Sequence, residues 1–125
     1  MFSHKIDKSQ GIIFTRASGT PTTVTMIDHI QNVMNDPDFD PNYNSIIVLE
    51  EHTRIAGVPK DKIETIRRVF DGLAKLLKGL NWAVVAPYER QEIFLKINLD
   101  LISPLKFNIR IFQSEEDALT WIKDQ

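Results

Sequence analysis

Two stretches leave this chain little freedom in how it folds. "SIIVLEE" (residues 45–51) and "NWAVVAP" (81–87) are short, nearly continuous apolar runs. A strand with one face in water alternates apolar and polar residues, so runs like these are expected of strands buried on both faces. Between them lies "DKIETIRRVFDGLAKLLKG" (61–79), in which Ile63, Ile66, Phe70, Leu73 and Leu77 fall on one side at helical spacing. A strand, a single helix and a second strand favour parallel neighbours joined by a right-handed crossover.

The remaining segments extend that pattern. "HKIDKSQGIIFTRASG" (4–19) reads as two extended stretches around a Ser9-Gln10-Gly11 turn, hence a hairpin. In "GTPTTVTMIDHIQNVM" (19–34), Thr20 is placed to N-cap a helix with Pro21 at its first position, and Val24, Ile27, Ile30 and Met34 keep helical spacing. "NDPDFDPNYN" (35–44), with its prolines and Asx residues, is loop. Gly79 sits where a left-handed C-cap is wanted, and Pro87 ends the second buried strand. "ERQEIFLKINLDLI" (89–102) is helical in length and stops before Pro104. "FNIRIF" (107–112) alternates, and Ser114 with Asp117 three residues later is a capping-box variant opening a last helix. Ala118, Leu119 and Ile122 would pin that helix to the sheet, with Trp121 beside them. The expected order is β-β-α-β-α-β-α-β-α. It describes an α/β fold with a mixed β-sheet: an N-terminal hairpin, then βαβαβα units, partly covered by helices.

At 125 residues the chain is most simply one domain spanning 1–125. A chain of that size buries about two-thirds of its unfolded surface. It has no cysteine, which excludes disulfides and thiolate metal sites and fits a reducing cytoplasm. A formal charge of −2 argues against nucleic-acid binding, which needs a Lys/Arg surplus. "MFSHKIDKSQG" has no apolar core of a signal peptide, and the longest apolar runs are strand-length, so no transmembrane segment is expected. The expectation is a soluble, cytoplasmic protein.

Four features together resemble the SpoIIAA-like family, which is related to the STAS (anti-sigma-factor antagonist) domains and to the CRAL-TRIO lipid carriers. They are the hairpin passing a Gly into a Thr-started helix, the approach "DPDFDPNYNSIIVLEEHT", the strand "WAVVAP", and the ending "IRIFQSEEDALTWI". The resemblance covers nearly the whole chain and implies a mixed-sheet STAS-like fold, with no assigned activity for most members. Phospho-switched STAS proteins carry an Asp-Ser-Ser-Gly type turn after the central strand, where a phosphate adds charge at a helix N-terminus. Here the comparable stretch is Arg54-Ile55-Ala56-Gly57, and Thr53 is the nearest hydroxyl before it. Thr53 is thus the candidate phosphosite, against the alternative of an ordinary loop or strand-end threonine.

No nucleophile motif, Gly-rich phosphate loop or metal-spaced His cluster is present, so neither catalysis nor a cofactor is expected. The one carboxylate–imidazole grouping is Glu50-Glu51-His52, at a strand's C-terminal end where α/β sheets place ligands. Glu50 and His52 would share a face at period two, but two ligands are too few for a catalytic zinc. A solvated strand end paired locally with Arg54 is the competing reading. His4 and His29 fall on a strand and on a helix face, without an evident site role. Arg16, Arg67 and Arg68 are read as solvated charge, and Trp82 and Trp121 as packing.

"EIFLKINLDLI" (92–102) is the anomaly. At about 100° per residue, Ile93, Phe94, Ile97 and Leu101 fall in one sector and Leu95, Leu99 and Ile102 in another. A helix covering a sheet needs one apolar stripe, and this one carries two. The second must be buried beneath the hairpin or terminal helix, against a protein partner or second copy, or around a lipid-like ligand. The leading expectation is therefore a non-enzymatic regulatory or interaction module whose docking face includes Phe94, Leu95, Leu99 and Ile102. The alternatives are a carrier of an apolar small ligand and, less favoured, a phospho-switched anti-sigma-factor antagonist.

Overall fold

Asp7 organises the first turn of the chain. Its carboxylate accepts from the Ser9 backbone N–H (3.0 Å), the Ser9 hydroxyl (2.6 Å) and the Gln10 side-chain amide (2.7 Å). Those hydrogen bonds, Ser9 first, hold its pKa down at about 2. Gly11 follows at φ 65°, a left-handed conformation that glycine adopts without steric cost, and its N–H donates to Asp7 O at 2.9 Å. The computed structural model in which this is seen describes residues 2–51, 53, 60–76, 81–86 and 108–125.

The turn joins β1 (Phe2–Asp7) to β2 (Ile12–Ala17) in antiparallel register, Phe2 opposite Ala17 and His4 opposite Thr15. Then come α1 (Thr23–Met34), β3 (Asn44–Leu49), α2 (Lys60–Leu76), β4 (Asn81–Val85), β5 (Asn108–Phe112) and α3 (Glu115–Lys123). The strands form one five-stranded sheet in chain order, β1-β2-β3-β4-β5. β2, β3, β4 and β5 run parallel, so the sheet is mixed, as the strand and helix alternation predicts. The helix expected over 89–102 and the Gly79 cap lie outside the described residues.

The register sorts the side chains onto two faces. Ile12, Ile46, Val48, Ala83 and Val85 line one, and α3 closes it with Ala118 and Ile122, both buried. Phe14, Phe112, Leu119 and Trp121 pack around them, as expected of the terminal helix. Ser114 caps α3 by accepting from the Asp117 N–H (3.2 Å), and Glu115, Glu116 and Asp117 place negative charge where the helix dipole favours it. The Arg110 guanidinium lies 5.6 Å from the Trp121 ring centroid. The opposite face carries Ala17, Leu49 and Ala86, with Phe2, Ile47 and Ile111 against them.

At the amino ends of the parallel strands, three asparagines are aligned one residue before or at the start of the paired register. Asn81 donates to Asn44 Oδ1 from its backbone N (3.1 Å) and its Nδ2 (3.3 Å), and Asn108 Nδ2 donates to Asn81 Oδ1 (2.8 Å). This side-chain ladder runs across the strands in the direction of the backbone ladder. A slip of either pairing by one residue would put the neighbouring amide on the other face.

α1 departs from expectation at its start and in the exposure of Val24. Thr22, not Thr20, is the N-cap: its hydroxyl accepts from Thr25 N (3.2 Å) while Thr25 Oγ1 accepts from Thr22 N (2.7 Å). The reciprocal pair satisfies two backbone donors, which a Thr20 start would leave without this partner. Val24, expected to face inward, is 67% exposed, whereas Val33 is buried and Met26, His29 and Ile30 are half-buried. Ile27 and Met34 are half-buried as expected, so the inward side takes in Met26, Ile27, His29, Ile30, Val33 and Met34, and it includes a histidine. Two substitutions test this arrangement by urea denaturation. Ile122→Ala should cost roughly 2–5 kcal/mol, since it empties a site under α3. Val24→Ala should change stability by no more than about 0.5 kcal/mol.

Candidate functional site

The carboxyl ends of the parallel strands are where an α/β sheet offers a ligand site, and the sequence places Glu50, Glu51, His52 and Thr53 there. The strand's alternation ends at Leu49. Glu50 N donates to Ala17 O (2.9 Å), and Thr53 N returns to Glu50 O (3.0 Å). β3 itself stops one residue before Glu50. Glu50 and Glu51 are exposed, and His52 lies outside the described residues.

Thr53 is wholly enclosed. Its hydroxyl lies 2.6 Å from Glu50 O and 2.9 Å from Ala17 O, so a single O–H proton serves carbonyls at the ends of two adjacent strands. Phosphorylation there would require both contacts to break. The other sequence-nominated positions, Phe94, Leu95, Leu99 and Ile102, lie outside the described residues. Arg16 pairs with Glu115 at 2.6 Å, joining β2 to the start of α3 across half-exposed surface. Arg67 and Arg68 are exposed on α2. Trp121 is half-buried against Phe112.

The polar constellation that sequence reasoning left apart sits on the other face, where α1 crosses the hairpin. His29 stacks on Phe2 with ring centroids 4.7 Å apart and 15° between planes. Its Nε2 is 3.2 Å from the Thr15 hydroxyl, and Thr15 is buried. His4 meets His29 edge-on, centroids 5.8 Å apart. Beyond it, His4 Nε2 lies 2.9 Å from Asp36 Oδ2. A carboxylate can only accept, so that nitrogen carries a proton. Asp36 Oδ1 accepts from Asp38 N (2.9 Å), and this bond, followed by the one to His4, holds the Asp36 pKa below the usual carboxylate value. Burial, aided by repulsion from His4, lowers the His29 pKa to about 4, so its imidazole is neutral at neutral pH.

The signal for this group was present in two patterns. His4 alternates with Phe2 and Ile6 on β1, and His29 stands three residues after Met26 and four before Val33. The group is two hydrogen-bonded pairs, Asp36 with His4 and His29 with Thr15, that meet edge-on at the two imidazoles. Its hydroxyl is covered by α1 and offers no open position to a substrate. Among the described residues no group of three or more His, Asp or Glu is placed to hold a metal ion. No helix among them is long and apolar enough to cross a membrane. No family model, curated protein or solved structure matches the chain.

Thr53→Val removes the shared hydroxyl while keeping the side-chain volume. It should destabilise by about 1–2 kcal/mol in urea denaturation, and Thr53→Ser should recover most of that loss.

Proposed function

We propose that the chain is a non-enzymatic regulatory module of STAS-like architecture, acting in the cytoplasm, that docks a protein partner or a second copy of itself through the apolar face of residues 92–102. The observation that carries this reading is the parallel pairing of β4 with β5. Parallel neighbours cannot be joined by a tight turn and need a crossover of about a dozen residues or more, usually helical. The chain between Val85 and Asn108 supplies that length.

Right-handed crossovers that step the same way across a sheet run over the same face. α1, between β2 and β3, lies over the face of Phe2, His4 and Thr15, opposite α3. A helix between β4 and β5 belongs on that same face. The terminal helix is then out of reach of Leu95, Leu99 and Ile102, which removes one of the internal burials open to the second stripe. Left in water, each such side chain would forgo about 1.5–3 kcal/mol. Docking is the burial this reading assigns them. An edge hairpin followed by parallel βα units is also the arrangement that the SpoIIAA-like resemblance implies. The buried hydroxyls among the described residues support a structural rather than a chemical use of polar groups: Thr53 ties two strand ends and Thr15 lies under α1.

Solution mass and partner capture, compared between wild type and the Leu95→Glu/Leu99→Glu double variant, test the proposal. The wild type should self-associate or retain a protein partner, and the variant should keep its circular dichroism and lose the association. A monomeric wild type with partner capture unchanged in the variant would contradict it. A small apolar mass retained in native mass spectrometry would assign the face to a lipid-like ligand instead.

A further inference from the structure

The polar group between α1 and the hairpin joins three separate pieces of chain: β1 through Phe2 and His4, β2 through Thr15, and the segment after α1 through Asp36. We propose that this junction is an acid-operated latch, in which proton uptake by His29 beside His4 releases α1 from the hairpin while the α3 face of the sheet stays closed.

The geometry gives a proton on His29 nowhere favourable to reside. One face of its ring is covered by Phe2, and its Nε2 is directed at Thr15, whose hydroxyl is buried and uncharged. The nearest titratable group is His4, which presents the edge of another imidazole and whose Nε2 proton is committed to Asp36. The Asp36 carboxylate reaches His29 only through His4, and its other oxygen is engaged by Asp38 N. Lys5, Asp7 and Arg16, the charged residues on the same two strands, belong to the opposite face by alternation, and Asp28 beside His29 on α1 is exposed. Among the described residues, no carboxylate faces His29 directly. An imidazolium formed there is better solvated once α1 has lifted.

The direction of the pH effect follows from the lowered pKa. The folded value of about 4 lies below the ordinary 6.5, so the stabilising effect of neutral His29 is complete above pH 6.5 and is lost as pH falls toward 4. α3 is tied to the sheet by Ala118 and Ile122 and has no histidine, so it lacks this dependence. The inference is independent of the docking face proposed above.

Amide hydrogen exchange of the full chain, corrected for the intrinsic effect of pH on exchange, tests the latch. Between pH 7 and pH 5 the opening of α1 should increase on the order of ten-fold, allowing for solvent screening of a half-buried group, while α3 protection stays level. His29→Gln, which keeps a hydrogen-bonding partner for Thr15, and His29→Phe, which keeps the stack on Phe2, should each abolish the increase. The proposal is overturned if α1 and α3 lose protection together, or if either folded variant retains the wild-type pH dependence. Failure of one variant to fold leaves the other, and the wild-type comparison of α1 with α3, as the deciding measurements.

Discussion

The parallel pairing of β2 through β5 is the constraint on which the rest depends. It forbids tight turns between those strands, so the chain must return across a face of the sheet after each one. Among the described strands only β1 and β2, antiparallel, are joined by a short turn, and there Asp7 and a left-handed Gly11 do the local work. The asparagine ladder of residues 44, 81 and 108 reinforces the same pairings from the side-chain direction. Thr53 binds the opposite ends of β2 and β3.

Two unlike faces result. One is an apolar layer closed by a short, well-capped helix, with Ile122 and Ala118 seated over Ile46, Val48, Ala83 and Val85. The other includes a polar junction at the hairpin edge, where burial keeps His29 neutral and Asp36 anchors His4. The first gains little from any change of solvent pH. The second depends on one imidazole remaining uncharged, which gives the molecule a region whose packing can respond to conditions that leave its core alone.

Much of this was legible in the sequence because burial leaves strong periodic signals. The continuous apolar runs of β3 and β4, the Ser9-Gln10-Gly11 turn and the Ser114 cap each correspond to an observed element. What was missed depends on tertiary register. Val24 keeps helical spacing with Ile27 but, in the first turn of α1, points to water, while His29 and Val33 join Ile27, Ile30 and Met34 on the inward side. The asparagine ladder was visible only as three strands that each begin with Asn, a pattern without meaning until the strands are known to be neighbours. Residues 92–102, whose two stripes motivate the functional reading, lie outside the described residues, so that part of the site rests on sequence and topology.

The functional account comes down to one spatial claim: the second apolar stripe of residues 92–102 lies on the side of the sheet away from α3 and is not buried by it. Nuclear Overhauser contacts among selectively labelled methyl groups measure this directly. The account predicts none between the Leu95 or Leu99 methyls and those of Ala118 or Ile122, in a sample where Ile122 shows contacts to Val85. Strong contacts from Leu95 and Leu99 to Ala118 and Ile122 would place the stripe under the terminal helix and contradict it.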